Sequence, residues 1–252
     1  MSEKQKFPTE VVDLPSKGLV YPKDHPLADG TIEMKYMTAR EEDILTSSNL
    51  IQKGIVIDEL LKSLIITKVD FNDVIVGDKN AIMLAARVLG YGKKYEVEVT
   101  CPSCNAKEEV DFDLTSFPHK KIDEDLINSE NKYEFTLPNA DRKIEFRFLT
   151  HKDENAIESE LKRLGKVSNG ITPEITTRLR YQIISVDGDD DKEYVNKFIK
   201  NEFFAIDSKS FRDYYSKIVP DVNFDSGFLC AICDWSGEVD LPITTNFFWP
   251  SR

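Results

Sequence analysis

Alternating apolar and polar positions mark Ile32-Glu33-Met34-Lys35-Tyr36 and Ile144-Glu145-Phe146-Arg147-Phe148 as strands with one apolar face. A helix start follows each: Thr38 and Thr150 stand as N-caps, with Glu41 and Asp153 three residues on. Those pairs complete capping boxes, which satisfy NH groups that a helix start leaves unpaired. A second helix is predicted over about Ile57–Val69 and Pro173–Val186, the latter capped by Thr172 with Pro173 in its first turn, where a missing NH costs nothing. A third begins at Asp78 or Asp207 and stops near Gly90 and Pro220. Asp191 to Phe203 reads as an extra acidic helix, and Tyr214-Tyr215 are assigned to the core against their unit's own hairpin.

These elements recur in one order. The strand-to-helix junctions match at an offset of 112 residues (Ile32 to Ile144), Val69-Asp70 matches Val186-Asp187 at 117, and Asp78 matches Asp207 at 129. The offset grows at polar insertions around Lys166–Gly170 and Gly188–Lys200. The pattern reads as a tandem duplication of a unit the size of one small domain. The expected organisation is α+β: a flexible N-terminus at 1–7, a first unit at 8–118, a linker at 119–131 and a second unit at 132–252. Each unit holds a strand, helices and a closing Cys-x-x-Cys hairpin. The two pseudo-symmetric halves join at a zinc-ribbon-like site, and residues from Phe7 to Pro118 should superpose on those from Tyr133 to Arg252.

The closing hairpins hold all four cysteines, in the pairs Cys101-Pro102-Ser103-Cys104 and Cys230-Ala231-Ile232-Cys233. Tyr95 to Val99 enters the first turn and Glu109 to Asp113 leaves it; Glu238-Val239-Asp240 follows the second. A Cys-x-x-Cys turn presents half of a tetrahedral zinc shell, and two turns present all of it. The expectation is one structural zinc per chain, held by Cys101, Cys104, Cys230 and Cys233. Cys104 and Cys230 lie 126 residues apart, farther than in a compact zinc ribbon, but equivalent hairpins can meet at a pseudo-twofold axis. Two rivals stay open: ancestral hairpins with an empty or degenerate site, and thiol redox chemistry. A redox dithiol usually precedes a helix, whereas strands follow here.

Composition narrows the function. The 252 residues are 40% apolar, enough for an ordinary core, and carry a formal charge of −12. That balance, without a Lys/Arg cluster interleaved with aromatics, argues against a nucleic-acid surface. No apolar run approaches membrane-spanning length, and Met1 to Lys6 lacks a signal-peptide stretch, so cytosolic use with reduced thiols is expected. Asp187-Gly188-Asp189-Asp190-Asp191 reads as a solvated acidic loop, since Lys192 and Phe198 stand where a calcium loop needs Gly and Glu. His25, His119 and His151 read as surface residues. No nucleophile has a base partner, so no enzyme and no small-molecule substrate is expected.

The series Leu14-Pro15-Ser16-Lys17-Gly18-Leu19-Val20-Tyr21-Pro22, Met37-Thr38-Ala39-Arg40-Glu41-Glu42, Ile57-Asp58-Glu59-Leu60-Leu61, Gly77-Asp78, Arg87 with Gly90-Tyr91-Gly92, and the Cys101 to Cys104 knuckle resembles the baseplate hub proteins of T-even-type contractile-tailed phages. The resemblance is dense in the first half and looser in the second, where Ala231 replaces the knuckle proline. It implies a non-catalytic structural or assembly protein of the baseplate hub that binds other tail proteins. Its implied place is the host cytoplasm during assembly, with the virion tail baseplate as a further location. The alternative is a zinc-ribbon regulatory or accessory binding protein unrelated to virion structure.

Phe247-Phe248-Trp249-Pro250 near the chain end admits two readings, because side chains alternate along a strand and three rings cannot share one face. Phe247 and Trp249 fold back over the neighbouring hairpin, or Phe248 and Trp249 anchor in a partner's pocket.

Overall fold

The computed structural model describes residues 8–165 and 172–249. The flexible N-terminus expected at 1–7, the insertion Lys166–Gly170 and residues 250–252 lie outside the described residues. Those described form an α+β fold of small antiparallel sheets and eight α-helices.

In the first half, β1 (Thr9–Asp13) pairs with β2 (Thr31–Lys35), placing Val12 opposite Ile32. Ile32 and Met34 of β2 are buried, as their alternation requires. Next come α1 (Ala39–Leu45), α2 (Ser48–Lys53), α3 (Val56–Leu64) and α4 (Val76–Tyr91). The hairpin β3 (Lys94–Thr100) with β4 (Lys107–Asp113) closes the half. In the second half, β5 (Tyr133–Thr136) pairs with β6 (Lys143–Phe146), followed by α5 (His151–Gly165), α6 (Glu174–Gln182), β7 (Ile183–Val186), α7 (Lys192–Asn201), α8 (Ala205–Ile218), and the hairpin β8 (Asp225–Leu229) with β9 (Ser236–Asp240).

The second predicted helix is too long in both halves. The chain leaves α3 after Leu64, and Ile65 bridges Met34 while the Ile66 NH donates to Glu33 O at 2.8 Å. Residues 183–186 likewise form β7 against β6, with Ile144 opposite Val186. The reason is common to both: runs dominated by β-branched residues, Ile65-Ile66-Thr67 and Ile183-Ile184-Ser185-Val186, meet the open edge of a strand, where those stiff side chains pack better than on a helix. Tyr214 and Tyr215 also depart from expectation. They pack on the β5–β6 strands and the residues that follow, Tyr214 stacking on Phe135 at 4.8 Å and Tyr215 meeting Phe146 at 6.0 Å and Phe148 edge-on at 5.7 Å, not on the cysteine hairpin.

Both capping boxes form. Glu41 accepts from the Thr38 NH (3.0 Å) and hydroxyl (2.6 Å), and Asp153 accepts from the Thr150 NH and hydroxyl, both at 2.9 Å. Each acid also meets a cation from the preceding strand or its end, Lys35 on Glu41 at 2.8 Å and Arg147 on Asp153 at 2.7 Å. A second matched pair of acids lies in the first turns of the long helices. Buried Asp78 on α4 accepts from the Ser16 NH (2.9 Å), the Ser16 hydroxyl (2.7 Å) and the Tyr21 hydroxyl (2.7 Å). Buried Asp207 on α8 accepts from the Asn139 and Ala140 NH groups at 2.8 and 3.2 Å. Both acids therefore tie the helix to the connection between its half's first two strands.

One apolar core runs through both halves. At their junction the Val76 NH donates to Leu149 O at 3.0 Å and the His151 NH to Val74 O at 2.8 Å. The approach is close enough that a Cβ on Gly77 would lie 1.8 Å from Pro220 O, so only glycine fits there without movement.

Candidate metal centre

Each cysteine pair occupies the turn of a strand hairpin, and the two turns share one backbone geometry. The Cys101 NH donates to Ala106 O at 2.8 Å and the Asn105 NH to Cys101 O at 2.9 Å. The Cys230 NH donates to Trp235 O at 2.9 Å and the Asp234 NH to Cys230 O at 3.0 Å. Asn105 and Asp234 hold φ of 59° and 57°, the left-handed conformation that Asn and Asp tolerate better than most residues. Ala231 in place of a proline thus leaves the turn intact and adds a donor: its NH reaches Glu108 of β4 at 3.1 Å, a bond that Pro102 has no NH to make.

The turns meet face to face across the two halves. Cys101 Sγ lies 3.8 Å from Cys233 Sγ, Cys104 Sγ 3.7 Å from Cys230 Sγ, and all four sulfurs fall within 4.8 Å of one another. A regular tetrahedron with metal–sulfur bonds of about 2.3 Å has sulfur–sulfur edges of about 3.8 Å, so the spacing suits a zinc-sized ion. All four thiols are free, and the cross-half separations are far beyond the roughly 2.05 Å of a disulfide. Cys101 and Cys230 are buried, whereas Cys104 and Cys233 are exposed, so one ligand of each knuckle anchors in the core and one faces outward.

Local charges treat the thiols differently. Burial works to raise Cys101, but the NH groups of Cys104 and Ser103 outweigh it and bring the thiol down to about 7. The Glu108 carboxylate, 3.0 Å from Cys230 Sγ, together with burial pushes that thiol up to about 12. The donor set is closed and sulfur-only, which suits a metal that holds structure.

The aromatic residues Phe247 to Trp249 pack against the first half. Phe247 and Phe248 are 1% and 3% exposed, and Phe247 meets Tyr95 of β3 edge-on at 5.1 Å. Trp249 is partly buried and its Nε1–H donates to Leu45 O at 3.1 Å. The segment crosses back onto the first half, so Phe248 and Trp249, the residues expected to anchor in a partner's pocket, here fill a seam of the protein's own core, where burying adjacent rings is favourable.

Sequence reasoning also misplaced His151, which is buried. Its Nδ1 accepts from Lys79 Nζ at 3.0 Å, leaving Nε2–H to donate to Asp58 at 3.0 Å. Burial works to raise Asp58, but His151 and Lys79 outweigh it and hold the carboxyl below its ordinary range. No local pattern signals this cluster, because its members come from α3, α4 and α5. Three acids of the Asp187–Asp191 loop hold backbone groups: Asp187 accepts from the Lys143 NH at 2.8 Å, Asp189 from the Asp191 NH at 2.9 Å, and Asp191 caps α7 through the Tyr194 NH at 2.8 Å.

Among the described residues no helix is long and apolar enough to cross a membrane. No curated protein and no solved structure matches the chain. A family model described as T4 bacteriophage base plate protein matches residues 9–249, from β1 through both cysteine knuckles to Trp249. With nearly its whole length matched, the chain belongs to the family of T4 bacteriophage base plate proteins.

Proposed function

We propose that this protein is a non-catalytic structural or assembly component of the baseplate hub, binds other tail proteins, and is stapled by one zinc at Cys101, Cys104, Cys230 and Cys233. The carrying observation is the thiol set itself: two knuckles 126 residues apart in sequence (Cys104 to Cys230) bring their sulfurs to tetrahedral spacing, and they join the two halves of a chain in a baseplate family. A closed thiolate site stabilises a relative placement of halves and leaves no open position for substrate. The matched capping acids and matched buried acids support a tandem duplication, with units at 8–118 and 132–252 joined by the linker at 119–131. The acidic charge of −12 favours encounter with basic partner faces and keeps a free subunit soluble. Host cytoplasm during assembly and the tail baseplate are the places this role requires. Family membership disfavours the unrelated regulatory alternative.

Co-expression with the baseplate hub components of the same phage tests the reading. A stoichiometric complex with at least one of them is expected. Binding to none of them, or turnover of a substrate by the pure chain, would overturn it.

A further inference from the structure

Among the described residues nothing pairs with the outer edge of β1. The Leu14 NH bonds to Gly30 O and the Tyr36 NH to Pro8 O, so even-numbered positions of β1 carry the ladder to β2. Thr9, Val11 and Asp13 therefore turn their NH and C=O groups away from β2. The sheet ends at β1, and no backbone group of the described residues pairs with that edge. Alongside it runs a groove of about 300 Å³, its floor made by Ala81, Leu84, Ala85 and Val88 of α4 and its walls by Val12 and Phe117.

The second half shows why this space is open. Val12 sits opposite Ile32 as Phe135 sits opposite Ile144, and Ala85 stands where the second half has Tyr214, at the 129-residue offset. Phe135 and Tyr214 stack at 4.8 Å, so at the positions that correspond by strand pairing and sequence offset the second half carries rings of its own. The α8 counterparts of Ala81, Leu84 and Val88 are Ser210, Asp213 and Lys217, which suit water. Among the described residues the first half has instead an apolar floor without a filler, beside strand groups with no backbone partner. Glu10 and Asp13 line the groove and give it an acidic edge, Glu10 accepting from the Tyr36 hydroxyl at 3.4 Å and Asp13 standing beside His119.

We propose that β1 and the α4 groove form a docking site for an extended segment of another baseplate protein, added as a strand on the free edge of β1. Its alternate side chains are apolar and enter the groove, and a lysine or arginine reaches Glu10 and Asp13. Main-chain bonds to Thr9, Val11 and Asp13 supply affinity, and the pocket with its acidic rim supplies choice of partner. This deepens the assembly reading above and rests on it.

The test uses the full chain and each baseplate protein of the same phage, with affinities measured by titration calorimetry. Val11→Pro removes only an outward NH and leaves the bonds to β2 intact, since proline is tolerated on an edge strand. Ala85→Tyr puts into the groove the ring that the second half carries at the matching position, Tyr214. Each variant should weaken the complex tenfold or more with an unchanged melting temperature, and Glu10→Lys with Asp13→Lys should weaken it and flatten its salt dependence. Unchanged affinity in both Val11→Pro and Ala85→Tyr, with wild type binding well, overturns the docking site alone. A wild-type chain that binds no baseplate protein overturns the assembly reading and this site with it. Two other occupants are separable outcomes that also refute the proposal: self-association abolished by Val11→Pro assigns the edge to a second copy. Amide protection at Thr9, Val11 and Asp13 in the free chain, lost on deleting residues 1–7, assigns it to the chain's own N-terminus.

Discussion

Glu41 is the acid on which the first strand-to-helix junction turns, and replacing it with glutamine isolates its charge. The side chain is fully buried and accepts from the Lys35 ammonium at 2.8 Å, the Ser63 hydroxyl at 2.8 Å and the NH and hydroxyl of Thr38. Burial alone would raise its pKa, but the Lys35 ammonium and the Thr38 and Ser63 donors outweigh it and bring the value from 4.5 to about 2. At about 1.4 kcal/mol per unit that depression corresponds to an upper bound of about 3 kcal/mol of folding stability. Glu41→Gln keeps the shape, loses the charge and puts an amide NH₂ among donors, so a loss of about 2–3 kcal/mol is expected at pH 7. For a chain of this size that is a fall in Tm of about 5–10 °C. The pH dependence carries the sign. Because the folded value lies below the unfolded one, the unfolded chain binds the extra proton on acidification. The contribution is therefore complete above about pH 4.5 and disappears as pH falls through about 2. Urea titrations of wild type and Glu41→Gln at pH 7, 4 and 3 should show a gap that narrows with acid. Equal stability at pH 7, or a gap unchanged down to pH 3, would refute the assignment of this stability to the carboxylate.

Purified protein should carry one zinc per chain by elemental analysis, and replacing Cys101 and Cys104 with serine should release it and lower the protection of both halves in hydrogen exchange; two zincs, or none in a stably folded chain, would contradict the shared site. Gly77→Ala should cost about 2 kcal/mol or more in denaturant titration, because its Cβ would meet Pro220 O at 1.8 Å, and a cost below about 0.5 kcal/mol would mean the halves can part there freely. Phe247→Ala should cost about 3–5 kcal/mol, as expected for a fully buried ring; unchanged stability would return the aromatic segment to a partner-docking role.

Local chemistry determined a good part of this protein in advance. Thr38 with Glu41 and Thr150 with Asp153 cap their helices because a capping box needs only four consecutive residues, and the Cys-x-x-Cys turns form because a hairpin and one left-handed residue suffice. The matched order of these signals also forecast that the two knuckles would meet. Tertiary structure decided what no window of sequence contains. Residues 183–186 are a strand because β6 offers an edge, not because their own propensity excludes a helix. His151 is buried because Asp58 and Lys79 arrive from other helices to satisfy both ring nitrogens, and Phe248 is buried because the chain end returns to the first half. The same applies to the edge of β1, which among the described residues has no strand partner: alternation marks neither Val11 as lying on it nor Ala85 as lining the groove beside it. Burial and edge pairing depend on surfaces brought together from far along the chain, and a side chain's periodicity records only which way it points.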